Sequence, residues 1–258
     1  MFLKTIDFSK YSSIKVGQAT EVLIIEKGDD IPSDRYLIGG ANNLLISPTP
    51  PPLMMLSKDF AYIVEKNGFL EIGAAMPTGR MVSYAKKHNI AGFEFCSKLP
   101  GTLGGLLAMN AGVKEYEIFN ILHSIRIDNA WVLAQDIAYG YRFARLSGVA
   151  TAARFVKKEG FSQDLLDTLL NLRSNQPHTP SAGSAFKNPE GDYAGRLIEA
   201  VGLKGLRKGD MQWSDLHANF LVNVDEGTFE DAKYLIDLAK EKILKECGVT
   251  LIEEIKIL

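Results

Sequence analysis

The chain has 258 residues, 29 Lys and Arg against 31 Asp and Glu, and a formal charge of -2, a balance that argues against a general polyanion binder. Its two cysteines, Cys96 and Cys247, have no CxxC pairing and suggest neither a disulfide framework nor a zinc site. The N-terminus lacks an apolar signal core and no uncharged apolar run is long enough to span a bilayer, so a cytoplasmic protein with no nucleic-acid or membrane partner is expected.

The β-branched content of Glu21–Glu26 and Arg35–Ile38 predicts two short strands. The second runs into Gly39-Gly40-Ala41-Asn42-Asn43-Leu44-Leu45-Ile46, where small residues and asparagines suit left-handed backbone and offer amide donors. Pro48-Thr49-Pro50-Pro51-Pro52 admits neither helix nor central strand, which predicts a surface connection at a boundary. Phe69–Gly73 reads as a strand. Pro77 suits the first turn of a helix with Met81, Val82 and Ala85 on one face, ending near His88 and Asn89.

From Leu99 to Gly112, an apolar run is interrupted by Pro100, Gly101, Gly104, Gly105 and Gly112. Each glycine costs about 1 kcal/mol in a helix interior, so turns rather than a core helix are expected here. Backbone N–H groups in such turns can cradle phosphates or approach a flat ligand. A turn packed between strands is the competing reading. Thr102 and Asn110 add short polar groups. His123–Asp128 predicts another strand, and Ser162 caps a helix striped with Leu165, Leu166, Leu169 and Leu170.

Asn175–Pro189 is loop-like and suggests a second boundary. A helix carrying Ala194, Leu197, Ile198 and Val201 follows, then a strand over Ala218–Val224. Thr228 and Asp231 resemble a capping box. The helix they open has Ala232, Leu235, Ile236, Ala239, Ile243 and Leu244 on one face, and Gly248 stops it. Val249–Ile257 alternates as a closing strand, with Val249, Leu251, Glu253, Ile255 and Ile257 on one side.

The two glycine-turn stretches suggest an extended ligand with phosphates and a flat group. No GxGxxG follows a strand, and GxxxxGK[ST], HExxH, GxSxG and metal-spaced His or Cys groups are absent. On residues alone, the reading stops at an α/β protein that binds a nucleotide or cofactor.

The motifs, taken in order, resemble the UDP-N-acetylenolpyruvoylglucosamine reductase family, flavoenzymes of bacterial cell-wall synthesis. Gly39-Gly40-Ala41-Asn42-Asn43-Leu44-Leu45 resembles its first flavin loop. Pro100-Gly101-Thr102-Leu103-Gly104-Gly105 with Met109-Asn110-Ala111-Gly112 is similar to the second. Tyr141-Arg142 fits a Tyr-Arg motif, and Ser181-Ala182-Gly183-Ser184-Ala185-Phe186-Lys187-Asn188-Pro189 is similar to a substrate-domain motif. Ala194–Glu199, His217–Phe220, Gly248–Leu251 and Glu254-Ile255 extend the likeness over nearly the whole chain. The chain departs from the family at Ala41-Asn42, where Gly-Ser is usual, and at Phe143, where a serine follows Tyr-Arg. Its short stretch before Tyr141 favours the branch lacking an extra substrate-covering loop.

The resemblance implies an α+β protein with the FAD-binding fold of the vanillyl-alcohol-oxidase (PCMH) type. Flavin-binding subdomains are expected at 1–57 and 58–176, and a substrate-binding α+β domain at 177–258. It implies non-covalent FAD, since Gly39–Leu45 offers no histidine for covalent attachment, with NADPH as co-substrate. The implied cofactor-binding residues are Gly39, Gly40, Ala41, Asn42, Asn43, Leu44, Pro100, Gly101, Thr102, Gly104, Gly105, Asn110, Ala111 and Gly112. The implied partner is UDP-N-acetylglucosamine enolpyruvate, to be reduced to UDP-N-acetylmuramate, and a monomer is expected. Arg142 would grip the substrate carboxylate, Ser184 would donate a proton and Glu254 would assist Arg142. Tyr141, Gly183, Lys187 and Asn188 would bind the substrate. By spacing alone, Arg142 reads as a surface ion-pair residue, Ser184 as a loop hydroxyl, and Glu254 and Lys187 as solvated charges. Glu253 sits beside Glu254, and a one-residue slip would exchange their faces.

Overall fold

The structure, a computed structural model, describes residues 1–172 and 175–258. The chain divides into two compact units, the first of Met1–Lys4, Val22–Gly40 and Pro52–Ser174, the second of Thr5–Glu21, Ala41–Pro51 and Asn175–Leu258. Among the described residues, no helix is long and apolar enough to cross a membrane.

The first unit holds two larger sheets. In one, Leu53–Leu56 lies between Ala19–Ile25 and Tyr36–Leu37, all parallel, with Leu53 opposite both Val22 and Tyr36. Both predicted early strands form, the second reduced to two residues. The other sheet is antiparallel, in the order Ala130–Leu133, Leu122–Ile127, Ala150–Val156, Phe69–Gly73, Ile63–Lys66. Its inner face supplies Leu70, Ile72, Ile125 and Phe155 to the core. Helix Thr78–Lys87 lays Met81, Val82 and Ala85 on that core, and Pro77 is its extended cap residue. Ser162 accepts from the Leu165 N–H, as expected, and caps helix Gln163–Asn171.

One expectation is corrected here. Leu103–Ala108 is a helix despite Gly104 and Gly105. Its Leu103, Leu106 and Leu107 are buried, and burying a leucine contributes about 1.5–3 kcal/mol, more than the roughly 1 kcal/mol each glycine costs. Gly104 also has a packing reason. A Cβ there would stand 3.2 Å from the Ala74 carbonyl oxygen, so the helix lies directly on that backbone.

In the second unit, Ser181–Ser184, Phe220–Asn223, Met211–Trp213 and Arg207–Lys208 form an antiparallel sheet in that order. Helices Ala194–Ala200 and Phe229–Cys247 share its core, which includes Trp213, Phe186, Leu197 and Ile198. Thr228 accepts from the Asp231 N–H at the start of the long helix, and Gly248 closes it in left-handed backbone. Ala232, Leu235, Ile236, Ala239 and Ile243 face the core as predicted. Leu244 does not. It stands about 100° around the helix from Ile243 and is exposed.

The closing segment departs from a single strand. Only Lys256–Ile257 is a strand, parallel to Leu44–Leu45. Residues 252–254 pair instead with 185–187: Lys187 N–H donates to the Ile252 carbonyl, Glu254 N–H to the Ala185 carbonyl, and Phe186 bridges Glu253. The alternation is real, with Leu251 and Ile255 buried and Ile252 and Lys256 exposed, but the segment changes partner partway along.

Candidate active site

Gly39 ends the short strand Tyr36–Leu37 and its loop reaches the second glycine stretch. A Cβ at Gly39 would lie 2.7 Å from Thr102 Oγ1, and one at Gly105 would lie 3.9 Å from the same atom. The two glycine stretches thus pack closely at the Thr102 hydroxyl, which a side chain at 39 would displace. Glycine-rich backbone of this kind lets a phosphate or a flat ring approach closely, so the residues are compatible with the implied flavin.

Ala41, Asn110 and Arg142 all have left-handed backbone, with φ of 51°, 41° and 59°. Non-glycine residues in that region are uncommon, and such strain clusters at functional sites. Ala41 is buried in the second unit, where its carbonyl accepts from the Ser13 N–H. The Asn43 side chain donates to the Glu254 carbonyl at 2.9 Å.

Arg142 lies in the turn between the paired strands Tyr139–Gly140 and Phe143–Ala144. Its Nη2 donates to the Gly112 carbonyl at 3.2 Å, and its guanidinium lies 5.0 Å from the Tyr141 ring centroid. Tyr139 stacks on Phe119 at 4.4 Å. Asn110, fully buried, donates to the Gly140 carbonyl at 3.2 Å. The hairpin that carries Arg142 and the second glycine stretch are therefore one construction in the first unit.

Ser184, Glu254, Gly183, Lys187 and Asn188 belong to the second unit. Ser181 faces Val222 and Ser184 faces Phe220, so one strand has an extra residue there, and Gly183 takes φ 78°. A bulge of this kind re-aims the side chain beside it, here Ser184. The strand beyond the bulge is clamped on both sides. Buried Asn219 accepts from the Phe186 N–H at 3.0 Å and donates to the Phe186 carbonyl at 2.8 Å. On the other side, Glu254 N–H meets the Ala185 carbonyl at 2.9 Å. Ser184 and Glu254 thus sit on bonded neighbouring segments. Asn188 spends its side-chain oxygen on the Ala194 N–H at 3.1 Å, tying it to the start of helix Ala194–Ala200.

Glu253 and Glu254 are separated by their partners. Glu253 meets Lys240 Nζ at 2.6 Å. Partial burial pushes its pKa up, but the hydrogen bond and charge of Lys240 outweigh this and hold the carboxyl below its ordinary value. Sequence reasoning passed over Glu117 and took Asn219 only as part of the His217–Phe220 likeness. Each looks like an ordinary polar residue, and only its partners in space distinguish it. It also passed over a cleft of about 1050 Å³ in the first unit, whose lining includes Asp59, Tyr62, Arg126, Asp128 and Thr151.

The chain matches the crystal structure of UDP-N-acetylenolpyruvylglucosamine reductase (MurB) from Thermus caldophilus with a TM-score of 0.85 and 27% identity, covering 100% of this chain and 99% of that one. The fold is thus the FAD-binding PCMH type, and the class is a flavin-dependent oxidoreductase. The C-terminal domain profile of UDP-N-acetylenolpyruvoylglucosamine reductase matches residues 176–258. The reductase of Helicobacter hepaticus is 48% identical over 98% of both chains, and that of Helicobacter pylori 45% identical over 100% of both. The chain belongs to the UDP-N-acetylenolpyruvoylglucosamine reductase family.

Proposed function

We propose that the chain catalyses NADPH-dependent, FAD-mediated reduction of UDP-N-acetylglucosamine enolpyruvate to UDP-N-acetylmuramate in peptidoglycan precursor synthesis. The observation that carries this reading is the bonding of the Ser184 strand to the Glu254 segment through Ala185. It sets a proton donor and a second acidic group on one clamped scaffold, which a simple binding protein would not need. The names of near-full-length relatives support the same reading.

When bound, FAD would carry a hydride from NADPH to the enolpyruvyl CH2. Gly39, Gly40, Ala41, Asn42, Asn43 and Leu44 would hold it with Pro100, Gly101, Thr102, Gly104, Gly105, Asn110, Ala111 and Gly112.

Hydride arrival leaves an electron pair on the carbon beside the carboxylate. The planar fork of Arg142 suits a bidentate grip on that carboxylate, and donors placed where charge develops are often the largest catalytic contribution. Glu254 would assist Arg142 in polarising that carboxylate. Ser184 Oγ gives its proton to the electron-rich carbon and completes the saturated ether. A serine hydroxyl is a weak acid, but this carbon is strongly basic. Tyr141, Gly183, Lys187 and the NH2 group of Asn188 contact the nucleotide sugar, with Lys187 as counter-charge to the diphosphate.

The test is an absorbance spectrum of the purified protein followed by NADPH oxidation with and without the enolpyruvyl nucleotide sugar. A flavin spectrum and oxidation driven by that sugar are expected. Oxygen consumption with an alcohol and indifference to NADPH would mean an oxidase. Bound flavin without turnover would mean a binding protein.

A further inference from the structure

The Arg142 hairpin is held by a side chain that no motif covers. Glu117 lies opposite Gly112 in the two-residue ladder Gly112–Val113 with Tyr116–Glu117. Its Oε2 accepts from Asn110 Nδ2 at 2.7 Å. The same Nδ2 donates to the Gly140 carbonyl at 3.2 Å, while Asn110 Oδ1 accepts from the Phe119 N–H at 3.2 Å. Asn110 is fully buried, so its amide has both protons and its oxygen committed, and each commitment depends on which way the amide faces. A flipped amide would aim oxygen at two acceptors and NH2 at a donor. Glu117, able only to accept when ionised, excludes that flip. Glu117 is also fixed in place: a Cβ on Gly112 would lie 2.8 Å from its Cα and its Cγ.

The Gly140 carbonyl held by Asn110 is two residues before Arg142, and the Gly112 carbonyl opposite Glu117 receives the Arg142 guanidinium. We propose that Glu117 is a positioning residue for the reduction step, whose acceptor oxygen orients the Asn110 amide and thereby sets the Arg142 hairpin. This rests on the reading of Arg142 as the group that grips the substrate carboxylate.

Stopped-flow measurement on the flavin-loaded enzyme separates flavin reduction by NADPH from flavin reoxidation by the enolpyruvyl nucleotide sugar. Glu117→Ala is expected to slow reoxidation about 10- to 100-fold, the penalty for a catalytic group displaced by around an ångström. Reduction by NADPH stays within about twofold. Glu117→Gln, which keeps an acceptor oxygen, should recover most of the loss. Equal slowing of both half-reactions, an unchanged reoxidation rate, or Gln as poor as Ala would each overturn the proposal.

A second cycle decides the matter if Glu117→Ala does not fold. Asn110→Asp sets a carboxylate against Glu117 and slows reoxidation; adding Glu117→Gln restores a donor and acceptor with their roles exchanged. The carboxylate introduced at position 110 cannot donate to the Gly140 carbonyl, so the double variant is expected to recover only part of the rate lost in Asn110→Asp, since residues sharing one hydrogen bond are energetically coupled. Additive losses overturn the strut. Arg142→Ala tells the two ideas apart: if it leaves reoxidation unchanged, the reading of Arg142 fails, and if it slows reoxidation while Glu117→Ala does not, the strut alone fails.

Discussion

The side-chain amide of Asn43 donates to the backbone carbonyl of Glu254, 211 residues later, at 2.9 Å. The Lys256 N–H returns to the Asn43 carbonyl at 2.9 Å. One residue of the first glycine stretch therefore holds the segment that carries Glu254, so a loop expected to serve a cofactor also supports a residue proposed for the substrate chemistry. Asn43→Ala leaves the Glu254 carbonyl short of a donor. It should destabilise the protein by about 1–3 kcal/mol and lower kcat. Asn43→Asp, which sets acceptor against acceptor, should be worse. Urea midpoints and steady-state rates check this, and an Ala variant matching wild type in both would refute it.

The carboxylates at 253 and 254 make a sharper contrast. Glu253 is occupied by Lys240 at 2.6 Å, and both side chains are partly exposed, so the pair is worth only about 0–1 kcal/mol. Glu253→Gln should leave turnover near wild type and cost little stability. Glu254→Gln should cripple turnover with the fold intact. If the losses fall the other way round, the two residues have exchanged roles.

Periodicity was enough to find Phe69–Gly73, the helix over Thr78–Lys87, the capped start of Phe229–Cys247 and its stop at Gly248. These elements bury one face locally, so spacing along the chain records them. Leu103–Ala108 was hidden because glycine's helix penalty is local, whereas the contact with Ala74 that favours glycine is tertiary. The closing strand was overextended because alternation registers which face is buried and is silent about which strand is the partner. Individual site residues were visible only through motif likeness. The bulge at Gly183 and Ser184 and the double bond from Asn219 to Phe186 depend on segments far apart in sequence.

Ser184 has a half-reaction signature. It lies beside the Gly183 bulge, and the following Ala185 and Phe186 are pinned by the Glu254 backbone and by Asn219. Removing the hydroxyl should therefore leave the strand in place. In Ser184→Ala, flavin reduction by NADPH should be unchanged and reoxidation by substrate slowed roughly 10²–10⁴-fold, the usual contribution of a positioned acid. Ser184→Cys, which keeps a proton on the same atom position, should recover part of the rate. A fall of equal size in both half-reactions would remove Ser184 from the proton-donor role.

The cleft of the first unit contains a phenol with a distinctive titration. Tyr62 donates to Glu71 Oε1 at 3.1 Å, while Arg154 pairs with Glu71 Oε2 at 2.9–3.0 Å and lies 3.8 Å over the Trp131 ring. Burial, then the neighbouring Glu71 charge and its hydrogen bond, push the Tyr62 phenol up to about 12. In the unfolded chain it ionises near 10. The folded state thus retains a proton that the unfolded state releases, so this contribution to stability is complete below pH ~10 and is lost as pH rises towards about 12. Tyr62→Phe should lose stability at neutral pH by losing the bond to Glu71, and should also show a shallower alkaline decline than wild type. Urea midpoints measured for both proteins from about pH 9 to 11 test this, with the other tyrosines giving a common background. Parallel curves over that range would mean that Tyr62 ionises alike in the folded and unfolded chain.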